Sequence, residues 1–217
     1  MTMSVAEYWG NRYRENGRSR SGRSWSGRVN ASLEREVAGI RPGTALHLGS
    51  GEGGDALWLA HNGWTGPSTS PRRHWPSGPA ARQPGYEITW IAADLAEWQP
   101  LTTFDLVTSC FLHSEVEIPR GSILRRAATA VAPGGTLLVV GHSGAPHWPR
   151  PDDGGRTHPQ LELPTPDDVY ATLFADSALD PQGWPVLTSA LVERVGAAPD
   201  GTAHTIVDSV LTLTRNE

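Results

Sequence analysis

Apolar residues in this chain keep two rhythms, and the switch between them falls between residues 44 and 60. Ala45, Leu46 and Leu48 make a short apolar run that predicts a buried strand. A glycine cluster follows (Gly49, Gly51, Gly53, Gly54), and then Ala56, Leu57, Leu59 and Ala60 return at helical spacing. Strand, glycine turn and helix open a nucleotide-binding α/β unit. Glycine lets backbone approach a ligand where a Cβ would collide, and a helix start offers free N–H groups. A glycine-rich turn that binds nothing has the same pattern, so the rest of the chain has to decide.

Upstream, residues 1–16 predict a short helix with Tyr8, Trp9, Arg12 and Tyr13 near one face. Residues 29–39 predict a second, with Val29, Leu33 and Val37 in line and Gly39 and Pro42-Gly43 ending it. Downstream, strands are expected at 87–92, 104–111 and 136–141. Helices are expected at 118–131 and, started by Thr165, at 166–175. Pro133-Gly134-Gly135 predicts a tight turn, and residues 184–195 and 204–214 a closing hairpin. The alternation predicts a single α/β, Rossmann-like domain spanning residues 1–217.

One stretch breaks the alternation. Residues 65–85 are dominated by Pro, Gly, Ser and Arg, with no acidic residue and no Val, Ile or Leu. This composition predicts a loop and no buried parallel strand, so the second strand and its helix are expected to be disrupted. Residues 17–28, rich in Arg, Ser and Gly, read as a solvated loop in which Trp25 is the exception. Residues 142–166 form another Pro-, Gly- and His-rich loop.

Composition narrows the classes. A chain of 217 residues can bury one sizeable core. A net charge of −5 argues against a dedicated nucleic-acid binder. The lone Cys110 excludes an internal disulfide framework. No apolar run approaches ~18 residues and no signal-peptide h-region opens the chain, so a cytoplasmic location is expected. His142, His147 and His158 share a loop, but their spacing matches no compact metal site, and no metal is assigned.

Two glycine codes overlap in the central turn. Gly49, Gly51 and Gly54 satisfy a dinucleotide pattern, whereas Gly49, Gly51 and Gly53 satisfy a G-x-G-x-G pattern. Further motifs lie around them: Tyr8-Trp9 with Arg12-Tyr13, Trp25-Ser26-Gly27-Arg28, Ala93-Asp94-Leu95, Phe104-Asp105-Leu106-Val107 and Pro133-Gly134-Gly135 before Thr136-Leu137-Leu138. With these residues in this order the chain resembles class I S-adenosylmethionine (SAM) methyltransferases. The likeness is to the small bacterial type related to tellurite-resistance and thiopurine methyltransferases, over nearly the whole chain except 65–85. The last two motifs separate it from a nicotinamide oxidoreductase.

The resemblance implies a mostly parallel seven-stranded sheet with an antiparallel last strand, SAM as cofactor and a small-molecule acceptor. Gly49, Ser50, Gly51 and Gly53 would pass under the methionine and ribose parts of the cofactor. Asp94 would accept from the adenine amino group, with the Leu95 N–H facing the ring; a loop aspartate capping its own turn is the other reading. Residues 1–40 would supply a lid in which Trp25 closes over the cofactor or makes an ordinary lid or core contact. Backbone near Cys110 would touch the cofactor, its side chain acting as a small core filler. His113 and His142, beyond the fourth and fifth strands, are candidate bases or polar loop residues, and Glu115 and His147 are weaker candidates.

Two departures stand out. His47 occupies the place of an acid that the family carries on its first strand, and no acid lies between Asp55 and Glu87 to hold the ribose hydroxyls. Read one frame over, codons for 67–71 can spell Val-Asp-Ile-Ser, and His74-Trp75-Pro76 must spell Leu-Ala. Residues 65–85 are therefore expected to be translated between two compensating frameshifts, which the coding DNA tests. Two functional readings follow: an active small-molecule methyltransferase, or a non-catalytic relative with weak or no SAM binding. Oligomeric state is not legible.

Overall fold

The computed structural model describes residues 7–9, 11, 28–70, 87–114, 116–143, 163–176, 178–197 and 203–217. Of the expected N-terminal helix, residues 7–9 and 11 are described and are helical. Trp25, Glu115, His147, His158 and the segment after Ser70 lie outside the described residues.

The first complete helix, α1 (Ala31–Val37), starts where Asn30 Oδ1 accepts from the N–H groups of Ser32 (2.8 Å) and Leu33 (3.1 Å). It buries Leu33 and Val37. Strand β1 (Ala45–Leu48) is buried at all four positions, and α2 (Gly54–His61) follows the glycine turn. Then come β2 (Gly66–Ser70), β3 (Ile88–Ala92), β4 (Phe104–Cys110), α3 (Arg120–Thr129) and β5 (Val131–Ser143). Helix α4 (Pro166–Leu173) begins with a reciprocal capping box between Thr165 and Asp168. Strands β6 (Val186–Ala197) and β7 (Ala203–Thr214) pair antiparallel, as the expected hairpin requires.

The seven strands form one sheet in the order β3-β2-β1-β4-β5-β7-β6. The pairs from β3 through β5 are parallel, and β7 runs antiparallel between β5 and β6. Strand order therefore reverses beside β1, with β2 on one flank and β4 on the other, and the crevice outside the strands' carboxyl ends at such a point is where open α/β sheets take ligands.

Alternation along β5 divides the core between the two faces of the sheet. Leu137 and Val139 pack with Leu124 of α3 and Leu173 of α4, while Leu138 and Val140 pack with Leu33 of α1 and Leu59 of α2. Fully buried leucines of this kind are each worth about 1.5–3 kcal/mol. Glu36 clamps α1 over the last two strands by accepting from the hydroxyls of Thr188 (2.7 Å) and Thr212 (2.9 Å). Asp105 fixes the entry to β1 by accepting from the Thr44 N–H (2.7 Å) and hydroxyl (2.8 Å).

Two expectations are corrected. Residues 66–70 do form a parallel strand, paired with β1 at His47↔Ser68 and with β3 from Gly66↔Ile88 to Ser70↔Ala92. The strand survives its composition because β1 and β3 template it from both sides and its hydroxyls replace apolar packing. Ser68 Oγ meets Ser50 Oγ, and Thr69 Oγ1 accepts from the Gly49 N–H (3.3 Å). Gly66 has φ +144°, and a Cβ there would overlap the Ala45 carbonyl oxygen. The second correction is that Pro133–Gly135 does not precede β5 but lies within it, at a register shift opposite Phe104/Leu106.

Candidate cofactor and acceptor site

The glycine turn leaves β1 at the sheet's carboxyl edge. Gly49 (φ +74°), Gly51 (φ +51°) and Gly53 (φ +87°) are all left-handed, a conformation costly for any residue with a Cβ. A Cβ on Gly49 would also stand 3.2 Å from Leu112 Cδ1, in the loop beyond β4. Ser50 ties the turn to β2: its N–H (2.8 Å) and its hydroxyl (2.7 Å) both donate to the Thr69 carbonyl. The Ser50 side chain is thus buried against the sheet and acts by shaping the turn.

Asp55 lies in the first turn of α2, just past the glycine turn. Its Oδ1 accepts from the Asn30 N–H (2.7 Å), joining α1 to the turn. Its Oδ2 lies 4.0 Å from His47 Nε2. His47 is buried in β1, with Nδ1 2.7 Å from the Thr108 hydroxyl of β4. Burial pushes the imidazole pKa down, against the pull of Asp55. A carboxylate facing Nε2 favours the tautomer with its proton there, so Nδ1 accepts from Thr108. Cys110, at the end of β4, is buried, and burial pushes its thiol pKa well up, helped by the Asp55 and Asp208 carboxylates. That is an inert packing thiol.

At the end of β3, Asp94 is exposed and its Oδ1 accepts from the Ala96 N–H (2.9 Å), while Leu95 is buried in the core. Asp94 therefore caps its own turn and still presents a carboxylate at the sheet edge. The glycine turn, Asp94 and Leu95, Cys110 and His113 fall at this edge, and His142, expected beyond the fifth strand, lies within the end of β5.

The ends of β4 and β5 carry a second cluster. Phe111 is the only non-glycine residue with positive φ (+54°) among the described residues. Its ring stacks on His142 at 4.2 Å between centroids, and the Arg194 guanidinium of β6 lies 5.7 Å over its face. His113 lies nearly parallel to His142 at 6.0 Å. Its Nε2 accepts from the His142 backbone N–H (3.1 Å), a close approach that a Cβ at Gly141 would crowd. Burial, then Arg120 and His142, push the His113 pKa down to about 4. His113 is therefore neutral near pH 7 with its proton on Nδ1. In this geometry it presents a donor, its Nε2 lone pair being taken.

His142 is the more open of the two. Its side chain is 39% exposed, and its Nδ1 lies 3.4 Å from Oδ1 of Asp208, a carboxylate on β7 with no exposure at all. The other Asp208 oxygen accepts from Arg194 Nε (2.7 Å). Asp208, Arg194 and Phe111 escaped sequence reasoning. The available signal was the acid set inside the apolar run Ile206, Val207, Val210, Leu211. A cavity of about 220 Å3 lined by Gln99, Thr102, Thr103 and Arg126 lies before β4, at the opposite edge, and takes no part in the site.

No family model and no curated protein matches this chain. Solved structures do match it. One is a protein of echinomycin biosynthesis concerned with converting a disulfide bond into a thioacetal group; it is 22% identical, with a TM-score of 0.64 over 98% of this chain and 92% of that one. Another is the 1,6-didemethyltoxoflavin-N1-methyltransferase of Burkholderia thailandensis, solved with bound 1,6-didemethyltoxoflavin and S-adenosylhomocysteine; it is 17% identical, TM-score 0.64, over 98% of this chain and 88% of that one. The magnesium protoporphyrin IX methyltransferase of Synechocystis PCC 6803, solved with bound SAM, is 14% identical, TM-score 0.64, over 99% of each chain.

Proposed function

We propose that this chain, whose fold is that of the class I SAM-dependent methyltransferases, is a single-domain enzyme that methylates a small molecule. The observation that carries the reading is the run of three left-handed glycines at the carboxyl end of β1, beside the reversal of strand order. The residues fit SAM at the glycine turn and at the adenine end. Gly49, Gly51 and Gly53 offer backbone without side chains, and Asp94 offers an exposed acceptor-only carboxylate for an exocyclic amine. Leu95 supplies backbone beside it, and the backbone at Cys110 borders the cofactor. Toward the ammonium end Asp55 is the carboxylate this chain offers in place of an acid at position 47.

Bound SAM would supply an activated methyl group; the chain's own part is to hold the acceptor in line and to receive a proton. His142 is suited to receive it, because its ring is partly open to solvent. His113 is suited to hold the loop beyond β4 against β5.

A second reading is a non-catalytic relative. It is favoured by the buried His47 and by Thr69 near the end of β2, where its hydroxyl is bonded to Gly49 instead of a carboxylate meeting the ribose. Each lost charged hydrogen bond costs about 1.5–3 kcal/mol, so two would weaken SAM binding by about two to four decades. Isothermal titration with S-adenosylhomocysteine separates the readings. Micromolar binding supports the enzyme. No heat and no thermal shift at millimolar ligand overturns it in favour of the relative. The coding DNA tests the frameshift origin of 65–85, and codons unable to spell the alternative run would dismiss it.

A further inference from the structure

Three unusual features meet at one point on the carboxyl edge. Phe111 keeps a left-handed backbone that a bulky residue adopts only at a cost. The Asp208 carboxylate is wholly buried on β7. Asp208 Oδ1 and His142 Nδ1 are both buried, face one another at 3.4 Å, and have no aligned hydrogen bond among the described residues. Buried polar atoms are rarely left so, and strained backbone, a buried acid and under-satisfied atoms together mark a working site.

We propose that Asp208 is a positioning residue that holds His142 with its proton on Nδ1, so that the outward Nε2 takes a proton from the acceptor. The proposal rests on the methyltransferase reading and narrows the substrate class. The acceptor carries its nucleophile as X–H, a phenol, thiol or heteroaromatic N–H, and not as an amine that is already fully substituted. As the methyl group bonds to X, the X–H bond breaks and its proton passes to Nε2. The imidazolium so formed lies against the Asp208 carboxylate, and solvent later removes the proton.

The surrounding groups suit this role. Arg194 holds Asp208 by its second oxygen at 2.7 Å, which fixes the carboxylate and leaves Oδ1 for the imidazole. Phe111 stacked at 4.2 Å sets the plane of the ring. With Nδ1 buried and the side chain 39% exposed, Nε2 is the ring nitrogen left to meet an acceptor. His113, nearly parallel to the His142 ring at 6.0 Å, is neutral at working pH and does not repel the imidazolium. Arg120, which also acts on His113, donates to the Leu112 carbonyl (3.1 Å) and holds the loop that reaches over Gly49.

The test uses the full 15N-labelled chain near neutral pH. Long-range 1H–15N spectra, assigned with His142→Gln, report which ring nitrogen of neutral His142 carries the proton. The expected result is the Nδ1–H form, with Asp208→Asn shifting the balance toward Nε2–H and leaving S-adenosylhomocysteine affinity within about twofold. A predominant Nε2–H form in the unaltered chain overturns the proposal, and this holds even if Asp208→Asn fails to fold. So does a tautomer balance that a folded Asp208→Asn leaves unmoved. Binding of S-adenosylhomocysteine with the wrong tautomer refutes only the proton assignment. The right tautomer without binding refutes the cofactor reading instead.

Discussion

Replacing His47 by aspartate looks like a repair, since it puts an acid where the resembled family has one. The geometry predicts damage. His47 is buried, and its Nε2 faces the Asp55 carboxylate at 4.0 Å. A shorter aspartate would set the two carboxylates about 6 Å apart, where like charges at an effective dielectric near 20 repel by about 3 kcal/mol. The Thr108 hydroxyl, now 2.7 Å from Nδ1, can turn to donate to the new carboxylate, so little of that cost is returned or added by the lost contact. The expected outcome is a loss of about 3 kcal/mol at neutral pH, read as a lower urea midpoint by tryptophan fluorescence. The double variant His47→Asp with Asp55→Asn should recover more than half of it. Unchanged or higher stability in His47→Asp would refute the reasoning, because Asp55 would then not be felt at position 47.

Two further outcomes follow from buried or strained groups. The His113 pKa lies at about 4 in the folded chain against 6.5 for an ordinary histidine. The unfolded chain therefore binds the proton first as pH falls, so stability is unpenalised above about 6.5 and is lost progressively towards pH 4, by about 3 kcal/mol in all. Urea unfolding of His113→Asn should show a flatter dependence over that window; equal slopes would count against a buried neutral His113. Gly66→Ala must fit a Cβ against the Ala45 carbonyl at φ +144°, whereas Gly134→Ala at φ +75° meets no atom within 4 Å. Thermal melts should show the second costing about 1 kcal/mol and the first clearly more, with β2 loosened. Equal losses would mean that the approach of β2 to β1 is not close.

The strand, glycine turn and helix at 45–61 were legible because apolar spacing and glycine are local signals. So was the α/β class, and so were most later elements within a few residues. Strand β2 was not legible. Gly66–Ser70 has no apolar side chain to announce a strand, and it is made one by β1 and β3 on either side and by the Ser50 and Gly49 bonds to its hydroxyls. The tight turn expected at Pro133–Gly135 was misplaced for a related reason: a register shift against β4 absorbs it inside β5.

The candidate site divides in the same way. The glycines, Asp94 and His113 could be placed from the chain alone, because each follows a strand and the strands' carboxyl ends share one edge, and His142 because it lies at the end of one. Their chemistry could not. His113 and His142 look alike in sequence, yet one has its lone pair bonded to a backbone N–H and the other faces a buried carboxylate 66 positions away in the chain. Local pattern sets which elements form and which residues end them. Burial, tautomer and partner are set by residues distant in sequence, and so only the folded sheet decides what Asp55, His47, Asp208 and Arg194 are for.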